Sequence, residues 1–493
     1  MEPRKLPEYL LVLDRLPLGA AGKVDKKALA ALAEEQFAEL SRAGRRNGVV
    51  PGCERDLRGT PAALPRPRRT GTGRADPTAL AHAVRDFVEQ EILPAEHLLR
   101  ADTHGKAIRT LRERAREAGL WGLGFPRDLG GAGLSLAGYL LIAEQEGRSE
   151  FGPPVLGGDA IVDVRMLHTH AKGRLRERYL EPLVRGDLLA SFGMTEPGTA
   201  GSHPRALRTA AVADGPDWVL NGRKWFVSNA GRCDVTLVVA RTATADEGAQ
   251  PSFSVFLVPT EAPGFVRVRP LPVLGQHAGQ WEIAFEDLRL PGHHLLGAPG
   301  AGMEVASERL GIGRTLRSMH WLGTAQRAFD LMCRRLRERE VHGGLLGDQQ
   351  LMREHAFTAY SSITAARELV LGAAHALDRG GDARVAVSAA KVTASRVAVD
   401  VVDRAVQVFG AEGLGDDQPL SAMARRLRAT RILDGPDEVH ITSAAGRLLR
   451  TYATSATFDF SRPPAAAAAG GQSAPSPRSA ADPTAPLTEA GVA

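Results

Sequence analysis

The sequence predicts a mainly α-helical protein with a β unit set between two helical regions. Three observations carry that expectation. Apolar residues recur at helical spacing from residue 77 to about 184. From about Ser191 to Pro291 the period shifts towards two, in short runs separated by Gly, Pro and Asp. After Gly302 the helical period returns and is sustained over long segments.

Each element has a local reason. Asp76-Pro77 opens the first helix with a capping side chain and a proline at the first helical position. Leu80, Val84, Phe87, Val88 and Ile92 then line one face, and further helices are expected over Ala107–Ala118 and Ala137–Glu146. Val235–Val239, Phe253–Val258, Phe265–Val268 and Glu282–Phe285 read as strands. Three long helices follow over Ser307–Glu340, Met352–Asp378 and Arg384–Phe409. No G-x-G-x-x-G opens a βαβ unit, which disfavours a Rossmann dehydrogenase.

Composition narrows the function classes. The 493 residues are 43% hydrophobic and 24% charged, ordinary for a globular chain. No apolar run is long enough to span a bilayer and no signal-peptide pattern opens the chain, so a cytoplasmic protein is expected. Cys53, Cys233 and Cys333 lie too far apart for a C-x-x-C motif. No metal site is expected, and the histidines, including His168, His170, His293 and His294, read as surface or core residues. The net charge of +5 is local in origin, because Arg42 to Arg74 holds nine arginines against Glu54 and Asp56. That stretch is rich in Gly and Pro and poor in aromatic residues, so a solvated linker is expected and not a nucleic-acid surface.

Four motifs carry the chemistry: SFGMTEPGTAGS over 191–202, GRKWFVSN over 222–229, QVFGAEG over 407–413 and RILDGPDEVH over 431–440. With Gly119–Ser135 and Glu308–Phe329, they resemble in order and spacing the FAD-dependent acyl-CoA dehydrogenases. The resemblance covers about 375 residues. It implies an N-terminal helical domain over 77–190, a β-barrel domain over 191–291 and a C-terminal four-helix bundle within 302–455. Outside these lie a basic linker at 41–76 and a disordered tail at 463–493.

The implied reaction is α,β-dehydrogenation of an acyl thioester to the trans-2-enoyl thioester. It needs a base for the α-proton and a hydride acceptor, and no side chain accepts hydride, so FAD is expected. Asp434 falls where most of the family has its glutamate base, and DGPDEVH resembles a subgroup, also found fused to kinase-like domains, with aspartate there. Read alone, DGPDE is a helix cap first, and capping and catalysis are compatible roles. Some members carry the glutamate on a helix at the position of Gly313, which excludes a relocated base here.

By the same resemblance, Met194, Thr195, Phe226 and Ser228 match residues at the flavin ring. Pro436 and Glu438 are further cofactor-binding candidates. Arg339, Gln407 and Gly410 match residues that reach the FAD pyrophosphate of a neighbouring subunit, which implies a homodimer or homotetramer. Ser202 and Arg314 match substrate-binding positions, Arg314 at the thioester-CoA end.

The expected partners are an acyl-CoA or acyl-carrier-protein thioester and an electron-transfer flavoprotein. His203, His342 and Ala411 depart from the family pattern, where Asp, Phe and Gly are usual. A flavin oxidase or monooxygenase on the same fold and a catalytically silent thioester-binding protein are the alternatives. Residues 7–29 resemble the extreme C-terminus of adenylate-forming acyl ligases, with Lys23 at the adenylate-contacting position. The ligase core is missing, so residues 1–40 read as a remnant.

Overall fold

The computed structural model describes residues 75–453, apart from 103–104, 202, 243–251 and 277–278. The expectations for residues 1–40, most of the 41–76 linker, Ser202 and the 463–493 tail lie outside the described residues.

Helix α1 (Pro77–Phe87) starts as the sequence dictates. The Asp76 carboxylate accepts from the Thr78 N–H at 2.9 Å, and Leu80, Val84 and Phe87 are buried. A single π turn leads into α2 (Leu93–Ala101), followed by α3 (Lys106–Glu117) and α4 (Leu136–Glu146). Ser135 caps α4 by accepting from the Gly138 N–H at 3.1 Å. Three shorter helices, α5 (Gly152–Leu156), α6 (Ile161–His170) and α7 (Glu181–Arg185), complete this region.

The middle of the chain is an eight-stranded sheet: β1 (Ala190–Gly193), β2 (Ala210–Asp214), β3 (Asp217–Ser228), β4 (Val235–Arg241), β5 (Phe253–Pro259), β6 (Phe265–Pro270), β7 (Gln280–Pro291) and β8 (Leu295–Leu296). The spatial order is β6-β7-β3-β2-β4-β5-β8, with β1 parallel to β4. The expected barrel is corrected here, since β6 and β8 are not paired and the sheet stays open. The two halves meet at one residue pair, Ala210 and Arg241. Closure fails for local reasons: β8 has only two residues, and β6 alternates Arg267 and Arg269 into its length before ending at Pro270.

Strands β4 and β5 are apolar on both faces because they separate two cores. Val235, Leu237, Val239, Val255 and Leu257 face the helical region, whereas Val238, Ala240, Phe256 and Val258 face the interior of the sheet.

Three long helices follow: α8 (Gly302–Glu338), α9 (Gln350–Asp378) and α10 (Arg384–Phe409). At 37 residues, α8 is about 55 Å long. All three pack together, while α12 (Leu420–Thr430) and α13 (Asp437–Thr451) lie on α10, and the one-turn α11 (Ala411–Leu414) stands between α10 and α12. A two-stranded hairpin, β9 (Glu340–Val341) and β10 (Gly344–Leu345), follows α8. Its turn explains the departure at 342. His342 and Gly343 both have positive φ (49° and 80°), as a two-residue hairpin turn requires.

Helix α8 crosses the end of α4 at backbone contact. A Cβ on Gly323 would lie 2.0 Å from the Glu144 carbonyl oxygen, and one on Gly147 2.2 Å from the His320 carbonyl oxygen. The Thr324 hydroxyl donates to the Gly147 carbonyl at 2.7 Å, which fixes the crossing. Gly323→Ala is expected to destabilise the protein by about 1–3 kcal/mol, since the backbones must separate. A urea midpoint equal to that of the wild type would show that the crossing relaxes freely.

Candidate active site

The site is built by α8, by the loop between α12 and α13, and by the start of the sheet. Residues 431–436 form that loop. Its candidate base does not cap α13: Pro436 occupies the cap position and no side chain caps the helix. Asp434 sits two residues earlier in the left-handed region (φ 58°). The capping reading is thereby corrected, because the proline displaces the helix start and the left-handed residue turns its side chain to α8 instead.

On α8, Arg317 Nη1 donates to Asp434 Oδ1 at 2.5 Å, and Arg314 Nε donates to the Asp434 carbonyl at 2.9 Å. His440 Nε2 lies 3.1 Å from the same carbonyl, which can only accept, so the imidazole carries its proton on Nε2. Its Nδ1 faces the Ser388 hydroxyl at 3.3 Å. Burial pulls the His440 pKa below its ordinary value, which keeps the ring neutral.

Burial pushes the Asp434 carboxyl up, but Arg317, with Arg314 and Arg309 behind it, outweighs burial and holds the group below the usual carboxylate range. Asp434 is therefore charged at neutral pH. Its Oδ2 is buried and has no hydrogen-bond partner within the described protein.

Asp437 anchors this loop. It is 1% exposed and accepts from Lys391 Nζ (3.1 Å), Ser395 Oγ (3.2 Å), Arg396 Nε (3.1 Å) and Arg431 Nε (3.0 Å). Lys391 Nζ also donates to the Gly435 carbonyl at 2.9 Å. Glu438, by contrast, is exposed.

A second group gathers where β1 meets β3. Met194 and Thr195 follow β1, and the Thr195 hydroxyl donates to the Trp225 carbonyl at 2.9 Å while the Trp225 N–H donates to the Thr195 carbonyl at 3.0 Å. Beneath them Lys224 Nζ donates to the Met194 carbonyl (2.9 Å) and to Glu196 Oε1 (2.8 Å). Glu196 also accepts from the Arg208 and Thr209 N–H groups at 2.6 and 2.9 Å. Burial lowers the Lys224 ammonium to about 8, against the pull of Glu196.

Phe226 has φ 50° and is 46% exposed, its ring 5.1 Å from that of Trp225. Ser228 is exposed and bonds the Gln280 side chain. An aromatic ring held out of the core by left-handed backbone suits a planar, aromatic group laid against it. Flavin is such a group, and the residues present fit it.

Arg309 joins the two groups. It pairs with Asp163 at 2.8 Å, and its guanidinium lies 4.1 Å from the ring centre of Phe192 on β1. Arg339, Gln407 and Gly410 form a separate, exposed group at the other end of the bundle. There Arg335 pairs with Glu412 at 2.9 Å and covers the Phe409 ring. Along α8, Arg339 is roughly 37 Å from Arg314. Ala411 opens α11 directly after Gly410, and His203 is exposed.

Sequence reading missed Arg317, Asp437, Glu196 and Lys224. For Arg317 a signal exists: it stands three residues after Arg314, on the same helical face. The others are charged residues whose burial only the packed structure creates.

The acyl-CoA dehydrogenase N-terminal, middle and C-terminal domain profiles match residues 75–187, 191–288 and 300–449. FadE2 of Mycobacterium tuberculosis, named a probable acyl-CoA dehydrogenase, is 38% identical over 74% of this chain and 90% of its own length. Acyl-CoA dehydrogenase family member 11 of Rattus norvegicus is 34% identical over 75% of this chain, which spans about half the length of that relative. The solved butyryl-CoA dehydrogenase of Megasphaera elsdenii superposes with a TM-score of 0.68 at 26% identity, over 76% of this chain and 98% of its own. The chain belongs to the acyl-CoA dehydrogenase family.

Proposed function

We propose that the protein converts an acyl-CoA or acyl-carrier-protein thioester to the trans-2-enoyl thioester, with Asp434 as the base. The observation that carries this reading is a carboxylate on left-handed backbone, one oxygen held by Arg317 and the other buried with no hydrogen-bond partner among the described residues. Such a group is ready to take a proton. FAD supplies the acceptor for the β-hydride.

The chain's own residues supply the rest. Met194, Thr195, Phe226 and Ser228 line the flavin ring. Since the Thr195 hydroxyl proton is engaged by Trp225, it offers the ring an acceptor oxygen. Pro436 and Glu438 lie at the start of α13, where they border the cofactor. Arg314 stands at the thioester end, with Ser202 as a further substrate contact. Glycine at 313 leaves no relocated carboxylate there, which supports reading the chain as one of the subgroup with aspartate as base.

The distance between Arg314 and Arg339 supports a homo-oligomer. Arg339, Gln407 and Gly410 are exposed at the far end of α8 and serve the pyrophosphate in a neighbouring subunit. The departure at Ala411 lies beside that contact. An electron-transfer flavoprotein is the electron acceptor we propose, in the cytoplasm; among the described residues no helix is long and apolar enough to cross a membrane.

Anaerobic titration of the purified protein with a panel of acyl-CoA and acyl-carrier thioesters tests this reading. The flavin absorbance is expected to bleach with one acyl class. A flavin spectrum that no thioester changes would overturn it.

A further inference from the structure

The resting contact of Asp434 is with an arginine, which at first sight opposes its use as a base. Arg317 comes from the middle of α8, and its Nη1 takes one carboxylate oxygen at 2.5 Å. The main chain of Asp434 is held independently, by Arg314 and His440 on its carbonyl. With the backbone fixed, the remaining freedom of the side chain is rotation about Cα–Cβ and Cβ–Cγ. Arg317 removes it.

The neighbouring sequence accommodates this guanidinium. Gly313 lies one turn before Arg317, and a Cβ there would come within 3.7 Å of Nη1. A side chain longer than a methyl at 313 would compete for the same space. The Arg317 side chain is 39% exposed and that of Asp434 13%, so the pair lies at an open wall and not inside a core.

We infer that Arg317 is a positioning residue for the base: it holds Oδ1, so that Oδ2 faces the α-carbon. This rests on the reading of Asp434 given above. In the step served, the α-C–H bond breaks and the proton passes to Oδ2, while bound FAD would supply the acceptor for the β-hydride. Oδ1 stays on Arg317 throughout.

The charges around Asp434 fix the sign of the effect. Arg309, Arg314 and Arg317 face it from α8, Lys391 from α10 and the neutral His440 from α13. Asp159 and Asp163 face Arg317 from the N-terminal helical region. Removing Arg317 leaves burial to push the carboxyl up, with weaker opposition from Arg314, Arg309 and Lys391.

The test uses the full-length, FAD-loaded chain and the variants Arg317→Met and Arg317→Lys. Infrared difference spectra of protein labelled with 13C in its aspartate carboxyl groups follow the titration of Asp434, its band being the one lost in Asp434→Asn. Arg317→Met is expected to raise that titration by roughly 1–3 pH units. The acid limb of flavin reduction by acyl thioester should move up with it.

Arg317→Lys retains the charge without the planar fork. It is expected to leave the titration within about one unit of wild type, while slowing flavin reduction by roughly 10- to 100-fold. An unmoved carboxyl titration in Arg317→Met would overturn the inference. So would wild-type titration together with wild-type rates in Arg317→Lys, which remains informative should the Met variant not fold. The carboxyl titration needs no turnover. A wild-type flavin that no thioester reduces therefore defeats the dehydrogenation reading alone, while the titration still decides the pair.

Discussion

Asp434→Asn is expected to retain FAD and the fold while slowing flavin reduction by roughly 10²–10⁴-fold. The substitution preserves shape, and an amide oxygen still accepts from Arg317 Nη1, now 2.5 Å from Oδ1. What is lost is the ability to bind a proton. The main-chain contacts to Arg314 and His440 do not depend on the carboxylate and should persist. Stopped-flow flavin reduction under anaerobic conditions measures the effect, and the visible spectrum before mixing reports FAD occupancy. Near-wild-type reduction would remove Asp434 from the role of base.

Glu196→Leu is expected to have the largest effect on stability. Lys224 is fully buried, and Glu196 is 3% exposed. Removing the carboxylate leaves a buried ammonium without its counter-charge, which costs about 3–5 kcal/mol. The Arg208 and Thr209 N–H groups also lose their acceptor. The same lysine holds the Met194 carbonyl, so its displacement would loosen the Met194–Thr195 segment, which the Thr195–Trp225 hydrogen bonds still join to β3, and FAD retention should fall along with stability.

The pH dependence has a definite sign. Although burial pushes the Glu196 carboxyl up, Lys224 and the hydrogen-bond donors around it outweigh burial and hold it below the ordinary 4.5. A depressed carboxylate stabilises the fold above its unfolded-state pKa, and that contribution disappears as pH falls through the folded value. Wild-type stability should therefore drop below about pH 4.5, and the drop should be smaller in Glu196→Leu. Urea unfolding of both proteins between neutral and acid pH measures it. An equally steep acid loss in the variant would show that other carboxylates dominate.

Much of the architecture was legible because it follows from periodicity. The change from helical to strand spacing near residue 190 and its reversal near 302 coincide with the starts of β1 and α8. The Arg384–Phe409 helix has the bounds its pattern predicts. Short-range signals also carried the Asp76 cap and the proline beside it. Barrel closure was not legible. It depends on whether the two outermost strands can pair, and which strands lie outermost is set by the order β6-β7-β3-β2-β4-β5-β8, which periodicity does not encode.

For the site, it was the resemblance of short strings to the acyl-CoA dehydrogenase motifs, in the same order along the chain, that marked Asp434, Arg314, Thr195 and Phe226 as candidates. The sequence by itself thus determined the helix–sheet–helix order, the presence of a carboxylate in the DGPDEVH loop and the absence of one at 313. Only the tertiary structure decided that this carboxylate caps nothing and binds Arg317, that Asp437 is the buried anchor, and that Glu196 and Lys224 lock β1 to β3. The physical reason is that periodicity and capping act over a few residues. Burial and pairing of charge depend on which segments meet, and Arg317 and Asp434 meet across 117 residues of chain.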